Sequence, residues 1–265
     1  MKKVISTLID FTKISSCLVL FSMIIMISGL ASCKKDKNEA TPPTPPVVQE
    51  PGLTMGNGKA QSFFKLDNNG NPLEIGIEMT AGALTGLASG ATFVLPFEQK
   101  AMELTPFDHI FIGWNEKGHP PTTLFGVPHF DFHFLTIPVA DRIAIPPYNS
   151  TTAAKFDLLP PAGFMPASYT VEPGGVAAMG KHWLDANAPM PFSHTMIYGS
   201  YNGEVHFVEP MVTLAVLQGG ATINTSYAQP QNFVKAGKWY PTKYNIYKDQ
   251  QTLKHIVSLS EFVKR

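Results

Sequence analysis

Beyond residue 33 the chain contains no cysteine; its two, Cys17 and Cys33, both lie near the N-terminus. That absence excludes a disulfide framework, a thiolate nucleophile and thiolate metal ligands from the rest of the chain. Any metal there must be held by nitrogen and oxygen donors. An excess of one charge is lacking too. The 20 Lys and Arg balance 20 Asp and Glu, and no basic run occurs, which argues against nucleic acid as a partner. There is no Gly-x-Ser-x-Gly elbow, no P-loop and no His-Glu-x-x-His. "GNGKAQ" (56–61) offers two glycines without the dinucleotide fingerprint. No serine stands out as the nucleophile of a Ser-His-Asp arrangement, and no internal repeat is evident. Long apolar runs are missing except for one, Ile14 to Leu30.

That run follows Lys2, Lys3 and Lys13, the charged-then-apolar plan of a secretory signal. It is slightly short of the about 20 residues that a membrane-spanning helix needs. Leu30-Ala31-Ser32-Cys33 resembles the lipobox of bacterial lipoproteins. The resemblance implies cleavage before Cys33 and lipid on that cysteine. The alternative, a plain transmembrane anchor, fits less well, because the box sits where a cleavage site belongs. Residues 1–32 therefore read as a lipoprotein signal peptide, and the protein as exported to the bacterial cell envelope and held to a membrane through acyl chains on Cys33. Residues 33–52 are charged and then proline-rich and read as a tether. Residues 53–265 are long enough for one sizeable domain.

Period-two patterning dominates that domain. Residues 60–66 and 73–79 flank the turn-rich "DNNGNP" and predict a hairpin. "FDHIFIGWN" (107–115) and "VPHFDFHFLTI" (127–137) predict a strand and its return. Residues 193–201 and 204–210 flank Asn202-Gly203, the strongest hairpin signal in the chain. Residues 238–248 and 254–263 predict late strands, and short helices are expected around 81–88, 98–103, 138–144 and 211–218. The expectation is a mainly β domain, barrel- or sandwich-like, with long loops and a few short helices.

Seven of the eight histidines lie between His109 and His206. In "PHFDFHF" (128–134), His129, Asp131 and His133 alternate with three phenylalanines, so on a strand the ionisable groups share one face. Neighbours on a strand face stand roughly 6.6–6.8 Å apart. His129 and Asp131 could share a metal, or Asp131 and His133. The two histidines, roughly 13 Å apart, could share one only across a bulge or bend. The competing reading is an aromatic core face with a polar outer face. His182 in "MGKHW" and Glu209 in "FVEPM" complete the candidate ligands, although Glu209, ahead of a predicted helix, could be a cap. Imidazoles with a carboxylate suit zinc, iron, manganese, nickel or copper. His119 could line the same cavity, but decorating its loop is the favoured reading. Trp114, Trp183 and Phe134 are expected to form the apolar wall. His109, His194, His206 and His255 read as surface or packing residues. The spacing departs from the cupin pattern, whose metal motif begins His-x-His.

"WNEKGHPP", "PHFDFHF", "MGKHW" and "YGSYNGEVHFVEPMVT" together resemble an uncharacterised family of exported bacterial proteins, represented structurally by a sigma-E-controlled protein from Thermus. The resemblance covers most of residues 54–217 and implies a shared site without naming a reaction. It marks Trp114, Gly118, His119, His129, Asp131, His133, His182, Glu209 and Met211.

Two functions follow. One is a membrane-anchored envelope lipoprotein with a His/carboxylate site for a divalent transition metal, which would activate water or polarise a substrate oxygen if the protein is catalytic. The other is a non-enzymatic envelope protein that binds a small-molecule ligand or forms a homo-oligomer, its polar cluster a structural hydrogen-bond network. Convergence of the four residues His129, His133, His182 and Glu209 favours the first, dispersal the second. A carbohydrate-binding module is suggested only by "KWYPTKYNIY" (238–247).

Overall fold

A computed structural model describes residues 47–49 and 52–265, all within one compact unit. The predicted signal peptide, Cys33 and most of the predicted tether lie outside the described residues. The last part of that tether, Val47–Gln49, forms strand β1. The other strands in chain order are β2 (Leu53–Met55), β3 (Gly58–Leu66), β4 (Pro72–Met79), β5 (Thr92–Pro96), β6 (His109–Asn115) and β7 (His129–Leu135). Then follow β8 (Tyr169–Val171), β9 (Lys181–Asp185), β10 (His194–Tyr201), β11 (Glu204–Thr213), β12 (Ile223–Ser226), β13 (Trp239–Lys248) and β14 (His255–Lys264).

They form two antiparallel sheets. The first runs β1-β3-β4-β14-β13-β12, with β2 also paired to β3; the second runs β5-β6-β7-β11-β10-β9-β8. The predicted hairpins are present. Tyr201 pairs with Glu204 across Asn202-Gly203, both at positive φ as a two-residue turn of this kind requires. Leu66 pairs with Pro72 across the "DNNGNP" turn. Helices are short, as expected: a 3-10 turn at Ala81–Leu84 and α-helices at Gln99–Leu104, Val139–Ile143 and Leu214–Gly219. Thr122–Phe125 and Ala153–Asp157 were not anticipated.

One buried cluster joins the two sheets into a sandwich. Phe64, Ile77 and Val257 of the first sheet meet Ile112, Phe130 and Phe134 of the second. Alternation along β7 decides its facing: Phe130, Phe132 and Phe134 enter this core, and His129, Asp131 and His133 point the other way. The polar-outer-face reading requires that second face to be wet. Instead all seven residues of β7 are buried, because a second apolar cluster, with Phe111, Phe125, Phe207 and Met211, covers the opposite face of the sheet. The 238–247 stretch is an ordinary strand, with Tyr244 and Ile246 in the core.

Candidate metal centre

The second face of the larger sheet carries the chemistry. β6 and β7 pair so that Gly113 faces Asp131 and Asn115 faces His129. β11 lies on the other side of β7, with Met211 opposite Asp131 and Val208 opposite Phe134; the same register sets Glu209 beside His133. β10 follows, and then β9, where His182 pairs with Gly199. Four strands of a five-strand run, β6, β7, β11 and, beyond β10, β9, thus aim Asn115, His129, Asp131, His133, Glu209 and His182 at one side of the sheet. Glu209 lies within the strand and is buried, so it is not the cap of the following helix; the Thr213 hydroxyl is, accepting from Val216 N at 3.3 Å. The expected helix at 211–218 begins only at Leu214.

These donors fall into two groups. In the first, His133 Nε2 lies 3.5 Å and His182 Nε2 3.6 Å from Glu209 Oε2. In the second, His129 Nε2 lies 3.2 Å from Asp131 Oδ1 and His119 Nε2 3.6 Å from Asp131 Oδ2. Within each group all three donor atoms fall within 4.8 Å of one another. A tetrahedral ion with bonds of about 2.0–2.1 Å holds its ligand atoms about 3.3–3.4 Å apart, so both groups have the dimensions of a metal cage. His129 and His133 serve different groups, as the strand rise requires.

Two members of the first group are buried and the third, His182, is half-buried. Glu209 and His133 are each 1% exposed, and Glu209 Oε2 and His133 Nε2 have no hydrogen-bond partner. Orphaned buried polar atoms cost about 1–3 kcal/mol each. Burial pushes the Glu209 carboxyl well above its usual range, with the Asp131 charge adding to the effect. Burial likewise lowers His133 to about 4 and His182 to about 3, so both imidazoles are neutral at neutral pH. The Phe111 carbonyl lies 3.3 Å from His133 Nδ1 and fixes the proton there, turning the Nε2 lone pair toward Glu209. Phe207 packs edge-on against His133 and at a tilt against His182, at centroid distances of 4.9 and 5.3 Å. It can do so because Gly199 lies beneath its ring: a Cβ there would stand 1.9 Å from ring atoms.

In the second group Asn115 Nδ2 donates to Asp131 Oδ2 at 2.6 Å. Burial alone would raise this carboxyl, but the flanking His119 and His129 imidazoles hold it far below the usual range. His119 is partly desolvated, yet Asp131 raises it above its ordinary value. The His119 loop is folded back by Gly118 (φ +70), where a Cβ would strike Phe125 O at 2.0 Å. His119 N then donates to Phe125 O at 3.2 Å.

A cavity of about 620 Å³ opens onto both groups and is lined by His119, Asp131, His133, His182 and Glu209; His129 is fully buried behind Asp131. The loop reading favoured for His119 is therefore corrected: the glycine turn brings its ring into the cavity. Trp114, Trp183 and Phe134 do not form the wall. Trp114 stacks on Phe130 at 4.5 Å and Phe134 packs on Phe97 and Phe107, both inside the sandwich. Trp183, one residue from His182, faces the opposite side and donates to Ser200 Oγ at 2.9 Å. Methionines and aliphatics, among them Met179, Met211 and Ile197, form the wall instead. Of the remaining histidines, His109, His206 and His255 are buried packing residues, and His194 meets the Tyr244 hydroxyl at 2.7 Å. Asn115 was missed by sequence reasoning, because the long turn between β6 and β7 hides the register that sets it opposite His129. No family model, curated protein or solved structure matches the chain.

Proposed function

We propose that the chain is a metal-binding protein of the bacterial cell envelope. In this reading it is exported by residues 1–32, anchored to a membrane through lipid on Cys33, and holds a divalent transition-metal ion on His133, His182 and Glu209. The resemblance of its long aromatic motifs to an exported bacterial family supports the location. The observation that carries the metal reading is the meeting of three donor atoms at 3.5–3.6 Å, two of which, Glu209 Oε2 and His133 Nε2, are buried and lack any hydrogen bond. A structural polar network would satisfy those atoms; a bound cation does so directly. Two imidazoles and a carboxylate suit zinc, iron, manganese, nickel or copper. Three protein ligands leave a coordination position open toward the cavity, where a bound water or substrate oxygen would be activated.

The test is elemental analysis of the mature chain, carrying Cys33→Ser and no affinity tag, after exposure to divalent ions. Bound transition metal that disappears in His182→Ala/Glu209→Gln is the expected result. Equal metal content in parent and variant removes this site.

A further inference from the structure

The cavity holds a second set of donors that an ion on His133, His182 and Glu209 would not use. We propose that His119, His129 and Asp131 bind a second divalent transition-metal ion, and that the two ions make the cavity a receptor for a small oxyanion. This rests on the metal reading of the first group.

His119 Nδ1 lies 2.7 Å from the Pro120 carbonyl and His129 Nδ1 lies 2.7 Å from the Val127 carbonyl. A carbonyl only accepts, so both rings carry hydrogen on Nδ1, and in the neutral form each presents a lone pair at Nε2. Both Nε2 atoms then face one carboxylate, at 3.6 Å from Oδ2 and 3.2 Å from Oδ1. Without a metal these atoms are answered by a proton shared between ring and carboxylate and by Asn115 Nδ2, 3.4 Å from His129 Nε2; a cation placed between the three donors takes the proton's position and makes three bonds. The carboxylate is prepared for this. Asn115 fixes it through Oδ2, and Oδ1 is buried without a hydrogen bond, the approach of His129 being out of line for one. Backbone carbonyls behind ligand imidazoles are a common orienting device in metal sites.

The two groups cannot be one site. Asp131 and His133 are alternate residues of an extended strand, on the order of 6.6–6.8 Å apart, and each has its own partners. Yet both open onto the same cavity. Two divalent ions against the single charges of Asp131 and Glu209 leave that cavity positive, and Glu172 on its wall offsets only part of the excess. Net charge in a poorly solvated space calls for a counter-ion. An oxyanion supplies hard oxygen donors to the open position of each ion. The remaining wall includes Met179, Leu184, Ile197 and Met211, which offer no competing cation.

The test uses zinc and inorganic phosphate on the tag-free mature chain with Cys33→Ser. Equilibrium dialysis is expected to give about two zinc ions per chain in the parent and about one in His119→Ala/His129→Ala or in His182→Ala/Glu209→Gln. Because His129 is fully buried, His119→Ala alone, altering a partly exposed loop residue, is run beside the double variant and is expected to weaken the second zinc about tenfold or more. Calorimetry is expected to detect phosphate binding to the two-zinc form and a loss of about tenfold or more in each double variant. A single zinc that survives the His119 and His129 changes but not the His182 and Glu209 changes overturns the second site and leaves the first intact. A single zinc with the opposite dependence overturns the first reading instead. Two zinc ions without phosphate binding overturn the oxyanion half of the proposal.

Discussion

Glu209 is the residue on which the first group turns. Its carboxyl is buried, faces two imidazoles and is held well above its usual titration range by that burial. A folded-state value raised above the unfolded one contributes stability that is full at low pH and lost as pH rises past the unfolded value. In the metal-free protein, neutral pH therefore places a penalty on this side chain that a bound cation removes. Glu209→Gln keeps the shape and abolishes the titration. In the presence of chelator it is expected to be more stable than the parent at pH 8, and to converge on it near pH 4. Denaturant melts at the two pH values measure this, and equal stability at pH 8 would show that the carboxylate finds compensation elsewhere. His206, buried but outside both groups, carries the opposite sign: burial lowers it to about 4, so its contribution is present above about 6.5 and lost as pH falls toward 4.

At the scale of elements, the centre depends on five neighbouring strands, β6, β7, β11, β10 and β9, keeping register. A one-residue slip of β7 would send His129, Asp131 and His133 into the sandwich and the phenylalanines into the cavity. The phenylalanines resist that slip, since Phe130, Phe132 and Phe134 are fully buried in the main core. Between β10 and β11 the close fit of Phe207 over Gly199 does similar service, because that ring also braces His133 and His182. Gly199→Ala would drive a methyl group into the ring. It is expected to cost about 2–4 kcal/mol, read as a lowered thermal midpoint, and to weaken metal binding at the first group. Gly199→Ala behaving like the parent in both respects would mean that Phe207 can move without consequence.

For the whole molecule, the sandwich supplies a rigid sheet and the long loops around residues 116–128 and 172–180 supply the cavity wall. No helix among the described residues is long and apolar enough to cross a membrane, and the proposed attachment is the lipid on Cys33. Replacing Cys33 by serine is expected to shift the protein from the membrane fraction to the soluble fraction and to abolish palmitate labelling. Continued membrane retention of Cys33→Ser would favour an uncleaved apolar anchor at Ile14–Leu30 instead.

Much of this was legible in the order of residues alone, and for a physical reason. Side-chain alternation is a local property of extended chain, so "PHFDFHF" by itself set three phenylalanines against His129, Asp131 and His133. Asn202-Gly203 specified its own turn, and the confinement of cysteine to the N-terminus restricted any metal to nitrogen and oxygen donors. The helices expected at 98–103 and 138–144 are likewise present, as Gln99–Leu104 and Val139–Ile143, with only their ends displaced. Partnership was not readable. That His133 belongs with His182 and Glu209, while His129 belongs with His119, follows from which strands lie side by side, and β9 reaches β11 only through β10. Nor could sequence say that Trp114 and Trp183 face away from the cavity, or that the polar face of β7 is covered. Those outcomes depend on contacts between segments far apart in the chain, which only the packed tertiary structure decides.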